Sequence, residues 1–167
     1  MFDALFTTTT EYKKLSHALS GKGACALFGL PASGRAQVYA ALCRQLDKPL
    51  CIVTPGEAEA TRFAADLNTL GIPAAVFPAR DYVLRPIEGT AREYEYRRLA
   101  VLGELVGGRL RAVAVPAEAL TQFTTPKEDF CANTRTLHAG DTLLRDDLLA
   151  ALFGAGYTRR AQVDGPG

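Results

Sequence analysis

The sequence predicts an α/β fold in which helices cover a parallel sheet. Four short runs are apolar at every position, which is typical of strands buried on both faces of such a sheet. Segments with helical periodicity separate these runs. The resulting β-α-β-α-β-α-β order predicts a doubly wound sheet with right-handed crossovers. The predicted strands are residues 24–28, 50–53, 74–77 and 112–115.

Apolar residues that recur with a period of 3.6 predict a helix before the sheet, one between each pair of strands, and a short one after the last strand. The helix after the second predicted strand has a marked start. Thr54 is expected to cap it, Pro55 to occupy its first position and Glu57 to complete a capping box. The predicted helices are residues 8–20, 35–46, 57–70, 91–106 and 117–122.

The helix predicted over residues 91–106 begins with a second capping box, formed by Thr90 and Glu93. Leu99, Leu102 and Leu105 are expected to face the sheet, because apolar residues at such spacings cover one side of a helix. Gly107 and Gly108 follow directly and are expected to end it.

A domain boundary is predicted at the Thr-Thr-Pro run of residues 124–126. It separates an α/β domain, residues 1–123, from a second domain, residues 124–167. In the second domain the pattern predicts a strand over 134–138, a helix over 145–153 and a strand over 157–163. The last strand has no partner after it, so we expect residues 124–167 to be the first part of a small, truncated α+β domain.

The composition argues against several classes of protein. With 48% hydrophobic and 22% charged residues, the chain has ordinary globular usage. A net charge of +1 argues against a dedicated nucleic-acid binder, although it is compatible with a local basic face. The four cysteines form no C-x-x-C pair, so we expect no metal site and reduced thiols in a cytoplasmic protein. No signal peptide and no membrane span are expected.

One loop lies where a nucleotide hydrolase would hold phosphate. Gly29 and Gly34 follow the first predicted strand and open the next helix, which is the context of the Walker A motif G-x-x-x-x-G-K-[ST]. Arg35 and Ala36 replace the lysine that reaches the phosphates and the hydroxyl that binds magnesium. Pro31 also removes one backbone amide. We therefore predict a degenerate loop with no catalytic residue and no bound cofactor; residual ATP binding by a regulatory P-loop domain is the alternative.

Two groups of arginines are candidate contact residues. Arg159 and Arg160 follow Tyr157 and could contact phosphate or an acidic partner, the alternative being a solvated strand face. Five further arginines are interleaved with acidic residues, so a solvated and self-neutralised surface is expected there: Arg80, Arg85, Arg92, Arg97 and Arg98.

Several short motifs, in this order, resemble the amino-terminal region of the bacterial transcription-repair coupling factor (Mfd) family. They extend over nearly the whole chain, and their order makes the resemblance more specific than any one motif. The motifs are Val-Thr-Pro at 53–55, Phe-Pro-Ala-Arg-Asp-Tyr at 77–82, Val-Pro-Ala-Glu-Ala-Leu at 115–120, Ala-Gly-Asp at 139–141, Ala-Gly-Tyr at 155–157, Gln-Val at 162–163 and Gly-Pro-Gly at 165–167.

The resemblance implies the first two domains of a UvrB-like region. The first would be a helicase-type, P-loop-like domain whose Walker A motif is degenerate, in agreement with Arg35 and Ala36. Residues 81–85 are too few for the aromatic hairpin that UvrB inserts after its third strand, which favours the coupling factor. The second domain would contact UvrA, with Arg159 and Arg160 near that surface and the main contacts after Gly167.

The resemblance also implies a role for the parent protein, which would be an ATP- and magnesium-dependent DNA translocase of the hydrolase class. The family displaces RNA polymerase stalled at DNA damage and recruits nucleotide excision repair through UvrA. Its motor and its polymerase-binding domain lie downstream of the residues present here. We therefore expect this chain to be a non-catalytic, cytoplasmic interaction module without a membrane partner.

Overall fold

A computed structural model of the chain describes residues 7–21, 23–46, 48–80 and 93–162. Two compact units are present, Met1–Phe123 and Thr124–Gly167. Each unit is described by itself below.

The first unit contains a three-stranded parallel sheet. Its strands are β1 (Leu50–Thr54), β2 (Ala74–Val76) and β3 (Ala112–Pro116), and β3 lies between the other two. Leu50 of β1 and Ala74 of β2 both pair with Ala112 of β3. This confirms the α/β class and three of the four predicted strands, whereas the nucleotide-hydrolase type of the sheet stays a prediction.

Helices cover both faces of the sheet in the first unit. On one face, α2 and α3 pack against Ile52, Ala112 and Ala114. On the other face, α4 and α5 pack against Val113 and Val115. Successive residues of β3 alternate between the two faces, so every residue of this strand is buried. The helices among the described residues of this unit are α1 (Thr10–Ser20), α2 (Ala32–Gln45), α3 (Glu57–Thr69), α4 (Glu93–Val106) and α5 (Ala117–Leu120).

The prediction of a strand over residues 24–28 is wrong. These residues pair with no strand among the described residues, and all of them are exposed, Phe28 to 88%. An apolar run makes a strand only when a sheet edge supplies hydrogen-bond partners for its backbone, and that condition is not local to the run. The strand that was expected to precede the Gly29–Gly34 loop is therefore absent.

The predicted cap of α3 is also wrong. The capping position is taken by Gly56, without a side-chain hydrogen bond, and Thr54 ends β1 instead, where it pairs with Pro116. The Thr54 hydroxyl donates to the backbone oxygen of Gly56 at 2.9 Å. Pairing of β1 with β3 holds Thr54 in the strand, so the helix starts after Gly56 rather than at the residue with the best capping chemistry.

The predicted inner face of α4 is wrong at one residue, Leu99. Leu102 and Leu105 pack against the sheet as predicted, but Leu99 is 47% exposed. The buried residues of the helix are Arg98 and Val101, which complete a stripe with Leu102 and Leu105 at helical spacing. Thr90, the predicted cap, lies outside the described residues.

The second unit contains α6 (Lys127–Asn133) and α7 (Arg145–Gly154). The helix predicted over 145–153 is confirmed. The strand predicted over 134–138 is wrong, and the described residues of the strand predicted over 157–163 form no strand. None of the described residues from 124 to 162 is buried. No described strand lies beside either segment, so neither becomes part of a sheet.

In the part of the chain that the structure describes, no helix has the length and apolar character needed to cross a membrane.

The four cysteines differ in exposure, and this gives a testable difference in reactivity. Cys43 is buried, its thiol donates to the backbone oxygen of Arg111 at 3.5 Å, and burial raises its pKa; Cys25, Cys51 and Cys131 are exposed. Desolvation also raises the pKa of Cys51, which lowers its thiolate fraction near neutral pH.

We expect a disulfide reagent to modify Cys25 and Cys131 first, Cys51 more slowly and Cys43 only after unfolding, as mass spectrometry of the labelled peptides would show. Fast native labelling of Cys43 would contradict the packing of α2 on the sheet.

Candidate functional site

The loop before α2 was the main candidate for a ligand site. Gly29 has a φ of +81°, a left-handed conformation that favours glycine. Pro31 is the residue before the first turn of α2 and makes no side-chain cap. The helix begins at Ala32, so two of the four residues between Gly29 and Gly34 are already helical. A helix N-terminus is present, but only Leu30 and Pro31 remain as a loop between the glycines.

The backbone of this segment is organised as a helix start. The Arg35 amide donates to the backbone oxygen of Pro31 at 3.1 Å, which closes the first turn. A Walker A loop instead points successive amides at a phosphate. Here Pro31 has no amide proton, and the Arg35 amide is already bonded within the helix. The amides that remain can attract an anion only as any helix start does.

Arg35 and Ala36, at the positions where a Walker A motif has lysine and a hydroxyl residue, have different surroundings. Arg35 is exposed, whereas Ala36 is 2% exposed and belongs to the buried side of α2. Gly34 contacts the Pro31 ring closely, because a Cβ there would lie 3.3 Å from the Pro31 Cδ. It lines an apolar groove of about 300 Å³ together with Leu27 and Leu30. Of the four candidate residues Gly29, Gly34, Arg35 and Ala36, Gly34 alone is among the described residues that line this groove.

Restoring the Walker A residues is expected to harm the fold at one position and leave it unchanged at the other. Ala36→Thr adds a branched polar side chain at a buried site and should lower the free energy of unfolding by about 1–2 kcal/mol. Arg35→Lys should change it by less than about 0.5 kcal/mol, because this residue is exposed. Urea denaturation followed by circular dichroism measures both. Equal stability of the two variants would contradict the burial of Ala36.

No group of three or more His, Cys, Asp or Glu side chains that could hold a metal ion occurs within residues 7–21, 23–46, 48–80 and 93–162.

Arg159 and Arg160 lie in the second unit, in an irregular segment after α7, and both are exposed. Gly156 ends the helix with a φ of +90°. Its amide donates to the Phe153 oxygen at 3.0 Å, and the Tyr157 amide donates to the Leu152 oxygen at the same distance. This pair of bonds satisfies two of the last carbonyl groups of the helix and ends it. The two arginines therefore extend into solvent beside a half-exposed Tyr157, and they lie on no described strand.

One buried polar cluster of the first unit was not predicted from the sequence. Arg98 was expected on a solvated surface, but it is 4% exposed, and this expectation is wrong. Its guanidinium lies 4.1 Å from the centre of the Phe77 ring. One of its nitrogens donates to the Pro78 oxygen at 2.8 Å and to the Gln122 side-chain oxygen at 3.1 Å. We call these residues, together with Arg80, the Arg98 cluster.

Gln122 connects the Arg98 cluster to the chain that follows β2. Its side-chain oxygen accepts from the Arg80 amide at 2.7 Å, and its side-chain nitrogen donates to the Arg80 oxygen at 3.0 Å. The cluster therefore fastens residues 77–80, which follow β2, to the end of α5, which follows β3. Burial, and then the charge of Arg80, lower the pKa of Arg98. An arginine nevertheless stays charged in proteins, so a permanent cation is buried here.

The other arginines of that group differ from Arg98. Arg97 is exposed and pairs with Glu93 one turn earlier on α4. Arg80 approaches Glu95 to 4.0 Å, with both side chains largely exposed. Such pairs contribute little to stability. These two residues therefore agree with the predicted self-neutralised surface, whereas Arg85 and Arg92 lie outside the described residues.

The position of Arg98 in the sequence indicates burial, whereas its residue type indicates exposure to solvent. Arg98 precedes Val101, Leu102 and Leu105 at helical spacing, which places it on the inner stripe of α4. A charged residue at such a position is ordinarily assigned to solvent, because arginine is seldom buried without partners. The partners here come from two other segments, and no local pattern indicates them.

The described residues thus define a parallel α/β unit with helices on both faces. The chain is similar to the transcription-repair-coupling factor of Bacillus subtilis strain 168, at 27% identity over 143 residues. These residues are 84% of this chain but 12% of that relative. No family model matches the chain. No solved structure matches it either.

Proposed function

We propose that the chain is a non-catalytic module of a transcription-repair coupling factor, and that it serves as a scaffold for recruiting UvrA to stalled RNA polymerase in the cytoplasm. The similarity to the Bacillus subtilis coupling factor over 84% of the chain is the observation that carries this proposal. Because the match spans only 12% of that relative, ATP hydrolysis with magnesium, DNA translocation and polymerase binding are assigned to other parts of a longer parent.

A scaffold role agrees with the chemistry of the Gly29–Gly34 segment. Its preceding strand is absent, its helix starts at Ala32, and the position of the magnesium-binding hydroxyl is a buried alanine. Each of these features weakens a site for nucleotide. The proposal is therefore that this unit acts through its surface and not through a phosphate loop.

Titration with a fluorescent ATP analogue, with and without magnesium, tests the absence of a magnesium-dependent nucleotide site at the Gly29–Gly34 segment. We expect no magnesium-dependent saturation at micromolar concentrations, for the chain itself and for its Arg35→Lys variant, because lysine alone does not rebuild the cradle. Saturable binding that needs magnesium would favour the alternative, a regulatory nucleotide-binding domain, and would contradict this part of the proposal.

Recruitment of UvrA is tested with the complete parent protein. We expect UvrA to bind it at micromolar concentrations or more tightly, and the double variant Arg159→Ala/Arg160→Ala to bind several-fold more weakly, because exposed arginines at an interface contribute through desolvated contacts with acidic groups. Arg62→Ala, an exposed position on α3 of the other unit, is the control and should bind normally. Absence of UvrA binding would refute the scaffold role. Normal binding by the double variant would refute only the assignment of the two arginines.

A further inference from the structure

A second groove of the first unit lies between α1 and α2. Its volume is about 650 Å³, which is within the range of small-molecule sites. Tyr12, Ser16 and Ala41 form its floor and are buried, which shows that the helices pack closely beneath it. None of the residues from Gly29 to Ala36 lines it.

The side chains around this groove are basic. Lys13 and His17 are one turn apart on α1, so their side chains emerge on the same side of the helix. Arg44 of α2 is the third basic residue. Among the described residues that line the groove, none is acidic. The charged side chains among the described residues of the groove are thus all cationic, and charges of one sign in a concave surface favour anions.

Two hydrogen bonds orient polar groups of the groove. A terminal nitrogen of Arg44 donates to the Leu70 oxygen at 2.6 Å, which fixes the guanidinium at the end of α3. The Tyr12 hydroxyl donates to the side-chain oxygen of Gln45 at 3.0 Å, so the amide nitrogen of Gln45 is the end that can donate to a ligand. Arg44 and the Gln45 amide are therefore a cation and a neutral donor whose positions are set by protein contacts.

We propose that this groove binds a small phosphorylated molecule, with its phosphate between Lys13, His17 and Arg44. A phosphate monoester carries a charge of about −1.5 to −2 near neutral pH and three acceptor oxygens. That charge matches the two permanent cations, and the acceptor oxygens match the nitrogen donors. A single carboxylate carries less negative charge and fewer acceptor oxygens than a phosphate monoester. The buried Tyr12 and Ala41 provide an apolar floor for the rest of the molecule.

The test is an NMR titration of the isotope-labelled chain with inorganic phosphate, AMP and adenosine at constant ionic strength. We expect saturable shift changes confined to α1 and α2 with phosphate and with AMP, stronger binding of AMP, and no saturable change with adenosine. The double variant Lys13→Gln/His17→Gln should raise the dissociation constant by about tenfold or more. Lys14→Gln is the matched control, because Lys14 is exposed on the same helix but does not line the groove.

Three results would overturn the proposal. One is the absence of saturable shifts with phosphate and AMP. Another is equal weakening by Lys14→Gln and the double variant, which would show general attraction of anions. The third is tighter binding of duplex DNA with a steep dependence on salt, which would make the groove part of a nucleic-acid surface. UvrA binding by the parent is measured separately, so failure here leaves the scaffold role standing.

Discussion

Replacing Leu67 with alanine is expected to lower the free energy of unfolding by about 3 kcal/mol. Leu67 is completely buried in α3 and is among the largest side chains of the chain with no exposed surface. It belongs to the cluster in which α2 and α3 pack against Ile52, Ala112 and Ala114 of the sheet. The substitution removes apolar contacts and leaves a cavity that tightly packed neighbours fill only in part.

Urea denaturation of the variant, followed by circular dichroism, measures this effect. Leu120→Ala removes the same atoms from a position that is 55% exposed in α5, and it should cost less than about 0.5 kcal/mol. The difference between the two leucine variants isolates burial from the change of residue. If both variants unfold at the same urea concentration, the cluster around α3 is not the core of this unit.

Arg98→Ala is expected to lower the free energy of unfolding by about 3 kcal/mol, which is unusual for an arginine. The change removes the contact with the Phe77 ring and the hydrogen bonds to Pro78 and Gln122. The Pro78 oxygen belongs to a buried residue and would lose its arginine donor. An acceptor left without a partner in the interior carries the full cost of its desolvation.

A second variant separates the polar contacts of Arg98 from its packing. Arg98→Met keeps an unbranched apolar side chain over Phe77 but donates no hydrogen bond, so we expect a smaller loss of about 2 kcal/mol. Arg97→Ala, one residue earlier on α4, removes an exposed ion pair with Glu93 and should cost less than about 0.5 kcal/mol. Equal effects of Arg97→Ala and Arg98→Ala in urea denaturation would show that the Arg98 cluster contributes nothing to stability.

The Arg98 cluster also bears on the organisation of the sheet. In parallel α/β proteins, the segments after the strands meet at one edge of the sheet, where ligands commonly bind. Here two of these segments, residues 77–80 and the end of α5, are joined to each other by Arg98 and Gln122. The polar groups in these bonds satisfy one another, so we assign the cluster a structural role rather than a ligand site.

The candidate loop shows where motif spacing is insufficient. Gly29 and Gly34 have the separation of a Walker A motif, and Gly29 has the left-handed conformation of a tight turn. A phosphate cradle also needs a preceding strand to hold the loop in front of a helix. Residues 24–28 have the composition of that strand but do not pair with the sheet. The spacing of a motif specifies which residues it contains. Their geometry depends on whether the preceding segment pairs with a strand from another part of the chain.

The sequence by itself determined the parts of this protein that depend on local pattern. Continuous apolarity identified β1, β2 and β3, and helical periodicity identified α1 to α5 and α7 within a few residues. Those signals are local because a buried strand and an amphipathic helix each need apolar residues at regular positions along the chain. The strand β3 is buried on both faces, whereas Cys51 and Val53 of β1 are exposed. The replacement of the Walker A lysine and hydroxyl by Arg35 and Ala36 was likewise visible without a structure.

The tertiary structure alone decided what depends on distant partners. Pairing with Pro116 kept Thr54 in β1 and moved the start of α3 to Glu57. Arg98 is buried by contacts with Phe77, Pro78 and Gln122. Residues 24–28 pair with no described strand of the sheet. The physical reason is the same in each case. A backbone or charged group enters the interior only where hydrogen-bond partners replace water, and segments far away in the chain supply them.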